Sequence, residues 1–141
     1  MSATLDPTTA AGARALERLS TETVGWLTTV NPDGAPQSSP IWFVFEDGEL
    51  RLFSWIRAPR NDNIRERPAV AFNLDSEDEG DAYVTMEGTA RVDPGAGPAS
   101  GDARFMAKYR GRIEGYGWTT EYYDTTYPHV IRITPTRWRV G

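Results

Sequence analysis

The clearest pattern in the chain runs from Tyr83 to Val92. Val84, Met86, Gly88, Ala90 and Val92 fall on one face, and Tyr83, Thr85, Glu87, Thr89 and Arg91 on the other. A period of two predicts a strand buried on one side, and Gly88 inside it predicts a bulge or a close backbone approach. Ala69 to Leu74 alternates in the same way, with Val70, Phe72 and Leu74 together. Val24 to Val30 is rich in β-formers and ends at the turn signal Asn31-Pro32-Asp33-Gly34. A second strand is expected from about Gln37 to Phe45, joined through Glu46-Asp47-Gly48 to a strand over Leu50 to Trp55. His129 to Thr134 and Arg137 to Val140 predict a last strand pair, or one strand interrupted at Pro135.

Helical spacing is confined to the rest. Asp6 as cap and Pro7 in the first turn predict a helix to about Leu19, with Ala15, Leu16 and Leu19 on one face. Asp102 to Arg110 has a helical pattern, and Trp118 to Asp124 is a short aromatic helix or turn. Asp93 to Gly101 is a glycine- and proline-rich loop. Some six strands at short spacing predict a mainly β fold, an antiparallel barrel rather than a βαβ sheet.

Composition narrows the function. With 141 residues the chain is expected to be one domain. Its net charge of −5 argues against non-specific nucleic-acid binding. No apolar run suits a membrane span, and no signal-like leader is visible, so a cytoplasmic protein is expected. Cysteine is absent and His129 is the single histidine, in an apolar run. Thiolate nucleophiles, disulfides and cysteine zinc sites are therefore excluded, and a Ser-His-Asp triad is disfavoured. The acidic run Asp75, Glu77, Asp78, Glu79 and Asp81 lacks the spacing of a calcium loop and reads as solvated; no metal is expected. Reactivity would have to come from a bound organic cofactor.

One stretch runs against the overall charge. Between the strands over Leu50–Trp55 and Ala69–Leu74, Arg57, Arg60, Arg65 and Arg67 face only Asp62 and Glu66. Guanidinium groups bind phosphate through a bidentate fork, and Ser54 and Asn63 could add neutral hydrogen bonds. The competing reading is a solvated connector.

The order VGWLTTVNPDGAPQSSPIWFVFEDGELRLFS, RAPRNDNIRERPAVAF, YVTMEGTARV and the ending HVIRITPTRWRV resembles the split β-barrel flavin and deazaflavin oxidoreductases, the pyridoxamine 5′-phosphate oxidase-like group. Within it the chain is most similar to the branch using the deazaflavin F420. The resemblance is good over residues 20–95 and looser beyond. It implies a six-stranded split barrel over residues 1–141, with an N-terminal helix over 1–20 and a variable helical insertion over 102–127. It also implies a homodimer with the cofactor at the interface and a small, flat, unsaturated substrate.

By the same resemblance, Ser54, Arg60 and Asn63 hold the cofactor phosphate, with Arg57 nearby. Many relatives carry lysine at the position of Arg60. Pro40, Ile41, Trp42 and Phe43 lie along the ring system. No catalytic residue is assigned. The aromatics between Phe105 and Tyr127 either line the substrate pocket or pack, with packing expected for most. F420 carries a phosphodiester and an acidic tail, which suits an arginine-rich stretch. An FMN-binding oxidoreductase of the same fold, or a non-catalytic flavin or haem binder, is the alternative.

Overall fold

In the computed structural model, which describes residues 2–141 apart from Asp78, seven strands form one antiparallel sheet. They are β1 (Gly25–Val30), β2 (Pro36–Ile41), β3 (Val44–Glu46), β4 (Glu49–Ser54), β5 (Ala69–Asn73), β6 (Val84–Asp93) and β7 (His129–Val140), in the order β2-β1-β5-β6-β7-β4-β3. The curled sheet is a split barrel, with seven strands where six were expected. The extra strand arises because the run from Gln37 to Phe45 is broken. β2 ends at Ile41 and β3 starts at Val44, so Trp42 and Phe43 lie between two strands on opposite edges of the sheet.

Local signals explain the turns. Gly34 (φ +87°) closes the first hairpin, its amide donating to the Asn31 carbonyl at 2.8 Å. Asp47 and Gly48 both have positive φ, 54° and 76°, as a two-residue hairpin with the twist of its strands requires. The expected irregularity at Gly88 is present. The β6–β7 register shifts between Glu87 and Gly88, so that Gly88 faces Pro135 and Thr136 is the extra residue. A bulge tolerates a residue without an amide proton, which is why β7 runs unbroken through Pro135.

Helices cover the sheet. α1 (Ala10–Thr21) begins later than the Asp6-Pro7 signal: Thr9 is the cap and accepts from the Gly12 amide, whereas Asp6 organises the preceding turn by accepting from Thr8. α2 (Pro59–Glu66) replaces the loop expected in the basic stretch, with Pro59 in its first turn. The proline and the polar composition conceal a helix that tertiary packing stabilises. α3 (Ala103–Gly115) extends past Arg110, and α4 (Thr120–Thr126) follows a turn at Gly117. The Asp93–Gly101 loop ends in one 3₁₀ turn, Ala99–Gly101.

Two apolar layers result. Leu27, Phe43, Leu50, Leu52, Phe72, Met86, Ile131 and Ile133 fill the barrel, closed at one end by Ala15 and Leu19 of α1. Val44, Phe53, Phe105, Tyr109, Ile113, Tyr123 and Val130 form a second layer. β4 and β7 contribute to both, since Leu52 and Ile131 face the barrel while Phe53 and Val130 face α3 and α4. No helix among the described residues is long and apolar enough to cross a membrane.

Candidate functional site

The break between β2 and β3 sets up the site. Phe43 turns into the barrel, fully buried, its ring meeting Phe72 edge-on at 5.1 Å. Trp42 turns the other way and stacks almost parallel on Tyr109, at 4.9 Å and 5°, and on Tyr123, at 5.9 Å and 8°. Pro40, Ile41 and Trp42 then line a cavity of about 520 Å³, whose other walls come from β4 (Leu52, Phe53), Trp55, Arg60 of α2, and the aromatic ends of α3 and α4. Its size falls within the usual range of small-ligand sites.

Arg60 reaches the cavity wall from α2. Its Nη1 donates to Ser54 Oγ at 3.0 Å and its Nη2 to Ser39 Oγ at 2.9 Å. Ser54 is on β4 and Ser39 on β2, so one guanidinium joins an edge strand to one separated from it by four strands in the sheet order. Its Nε is buried without an acceptor. Burial depresses the Arg60 pKa below the ordinary guanidinium value, because the charged form has lost solvent without gaining an anion. A desolvated cation with a spare donor and no carboxylate beside it suits an anionic ligand.

The other expected phosphate groups are dispersed. Ser54 is fully buried and engaged with Arg60. Asn63 is not on the cavity wall: its Nδ2 donates to Thr29 Oγ1 and Asn31 Oδ1, both at 3.0 Å, and its Oδ1 accepts from Arg67 at 3.2 Å. It fastens α2 to β1. Arg67 also donates to the Val30 carbonyl, and Arg65 pairs with Asp62 at 2.9 Å. Arg57 is exposed and off the cavity wall. Helix formation is the reason, since it distributes the four arginines around α2 and its ends and leaves Arg60 alone on the cavity.

Sequence reasoning missed Ser39, which lies outside the basic stretch, and Arg112, which carries no motif. The aromatics of the 102–127 region divide between two roles. Phe105 and Tyr109 are buried in the second apolar layer, whereas Tyr116, Trp118 and Tyr127 line the cavity, and Tyr123 does both. Burial raises the pKa of Tyr123 and Tyr127, so both are neutral hydroxyls at ordinary pH.

The pyridoxamine 5′-phosphate oxidase family matches the chain over residues 12–140. The chain belongs to this family. Solved structures agree on the fold. An F420 reductase is 24% identical, with a TM-score of 0.67 over 87% of this chain and 94% of its own. An FAD-binding protein from Mesorhizobium loti is 19% identical, with a TM-score of 0.62 over 91% and 90%. The haem storage protein HutZ from Vibrio cholerae is 18% identical, with a TM-score of 0.62 over 98% and 95%. At these identities the likeness concerns the fold. The three described ligands differ, so the ligand of this family member has to be argued from its own cavity.

Proposed function

We propose that the protein is an oxidoreductase that binds F420 in the cavity beside Arg60 and serves hydride transfer to a small unsaturated substrate. The carrying observation is the Arg60 guanidinium, whose buried Nε lacks an acceptor in a cavity with no carboxylate on its wall among the described residues. In this reading Arg60, supported by Ser54 and Ser39, holds the phosphate. Pro40, Ile41 and Trp42 lie along the ring system. The bound deazaflavin would supply the hydride chemistry.

The chain's own part is positional. Trp42 and Tyr123 stack on the cavity wall, with buried Tyr109 packed against Trp42, and a wall held by packing keeps reactants in one orientation and limits water. Exposed Arg57 lies three residues before Arg60 and suits an acidic tail leaving the cavity. We also propose a homodimer. Trp55 of the cavity wall is 43% exposed and Ile56 beside it 51%, and a second copy would cover both.

FMN is the competing cofactor, since Arg60 would serve its terminal phosphate equally well. A haem ligand set is harder to build, because no histidine lines the cavity. Fluorescence titration of the purified protein with F420 and with FMN decides. F420 is expected to bind more tightly. FMN binding without F420 binding would replace the cofactor, and no binding of either at tens of micromolar would end the reading.

A further inference from the structure

The cavity carries a second cation besides Arg60. Arg112 lies on α3, three residues after the buried Tyr109 and four before Tyr116, so all three share one side of the helix. Its side chain lines the cavity and has no carboxylate partner among the described residues. The chain has 20 acidic residues, yet among the described residues the cavity wall holds two arginines and no Asp or Glu. The contrast with the charged cleft of about 650 Å³ elsewhere is informative. There Arg51 pairs with Asp102 at 2.6 Å and Arg132 with Asp93 at 2.8 Å, so the cations are neutralised by the protein.

The surroundings of Arg112 are aromatic and nearly parallel. Tyr116 stacks with Trp118 at 4.8 Å and 28°, and faces Trp42 at 6.4 Å and 19°. Parallel rings receive the face of a flat conjugated group, while an unpaired guanidinium receives a carboxylate in a two-pronged fork. We propose that Arg112 is a specificity-determining residue and that the substrates are flat, conjugated carboxylic acids, held with the carboxylate on Arg112 and the conjugated body against Tyr116 and Trp118. The word substrate rests on the oxidoreductase reading; the binding does not.

The test is calorimetric titration of the cofactor-free protein with trans-cinnamate and with cinnamamide, which has the same shape and no charge. Cinnamate is expected to bind at least about tenfold more tightly, as one charge-assisted pair requires. Arg112→Gln should abolish that preference while leaving the circular dichroism spectrum and the affinity for F420 unchanged. Arg110→Gln, on the same helix but outside this cavity, should keep the preference. Equal binding of acid and amide by the wild type overturns the proposal, as does a preference that survives Arg112→Gln. Loss of F420 affinity in Arg112→Gln also overturns it, because Arg112 would then hold the cofactor. A wild type that fails to bind F420 but still prefers the acid ends the cofactor reading and leaves this one standing.

Discussion

The Tyr109 hydroxyl accepts the Phe43 amide at 2.8 Å and lies 2.9 Å from the Phe43 carbonyl, as well as 2.8 Å from the Thr23 carbonyl. One phenol therefore satisfies the backbone at the break where the chain leaves β2 for β3. That break sends Phe43 into the barrel and Trp42 into the cavity. Tyr109→Phe removes the acceptor of a buried amide and the one hydroxyl proton within reach of the Thr23 and Phe43 carbonyls, the second of which also accepts from Lys108. The expected loss is about 1–3 kcal/mol, the usual cost of an unsatisfied buried group. Urea denaturation would measure it, and an unchanged midpoint would show that the break is held by other contacts.

Arg60→Ala is expected to weaken F420 binding by about ten- to a hundredfold, the loss of one charge-assisted contact to phosphate. Folding stability should change little. Two hydrogen bonds to Ser39 and Ser54 disappear, but so does the cost of a desolvated cation. Arg91→Ala is the control. That side chain is exposed on β6, 3.7 Å from Asp93, and its loss should leave affinity unchanged. Equal losses in the two variants would mean a general electrostatic effect.

Gly88 leaves no room for a side chain between β6 and β7. A methyl group there would lie 2.8 Å from the Thr134 carbonyl oxygen and 2.9 Å from Met86 Sδ. Gly88→Ala should destabilise by about 1–3 kcal/mol through overpacking. Thermal unfolding reads it. A melting temperature equal to the wild type would mean that the bulge adapts.

Lys108 gives a pH signature. Its Nζ donates to the Phe43 carbonyl at 2.9 Å and lies 3.9 Å from the Phe43 ring centre, and burial lowers its pKa from 10.5 to about 8. Below pH 8 both folded and unfolded chains carry the proton, so the cost of burying the charge is complete. Between about 8 and 10.5 the unfolded chain binds more protons, so stability rises with pH across that window. Tyr109 and Tyr123, whose pKa values burial raises, act in the opposite sense above their ordinary value of 10.0. The useful quantity is the wild-type slope minus that of Lys108→Met, measured between about pH 8 and 9.5 by chemical denaturation. A difference of zero, or a negative one, would refute the assignment.

Ile56→Asp tests the proposed dimer. The side chain is exposed beside the cavity, and its amide is fixed to the Thr126 carbonyl at 2.9 Å, so the change should not disturb the fold. Light scattering is expected to show a dimer for the wild type and a monomer for the variant. A wild type that is monomeric at micromolar concentration would refute the proposal.

The sequence by itself determined most strands and turns, because they depend on local rules; the break at Trp42-Phe43 that divides β2 from β3 was not among them. The alternation over Tyr83–Val92 fixed which face of β6 is buried, Asp47-Gly48 and Gly34 supplied the backbone conformations their turns need, and Gly88 marked the bulge. It also placed a lone cation cluster between β4 and β5, from which Arg60 emerged. What only the tertiary structure decided was which side chains share a space. Folding the basic stretch as α2 assigned Asn63 to β1, Arg65 to Asp62 and Arg60 to the cavity, an allocation that charge counting cannot make. The segment holding Ser39 and Trp42 and the segment holding Arg112 and Trp118 are far apart in the chain and meet at or beside one cavity only because the sheet curls and α3 returns across it. Such meetings depend on long-range packing, in which no period or motif is repeated along the chain, and so they leave no signature in a single sequence.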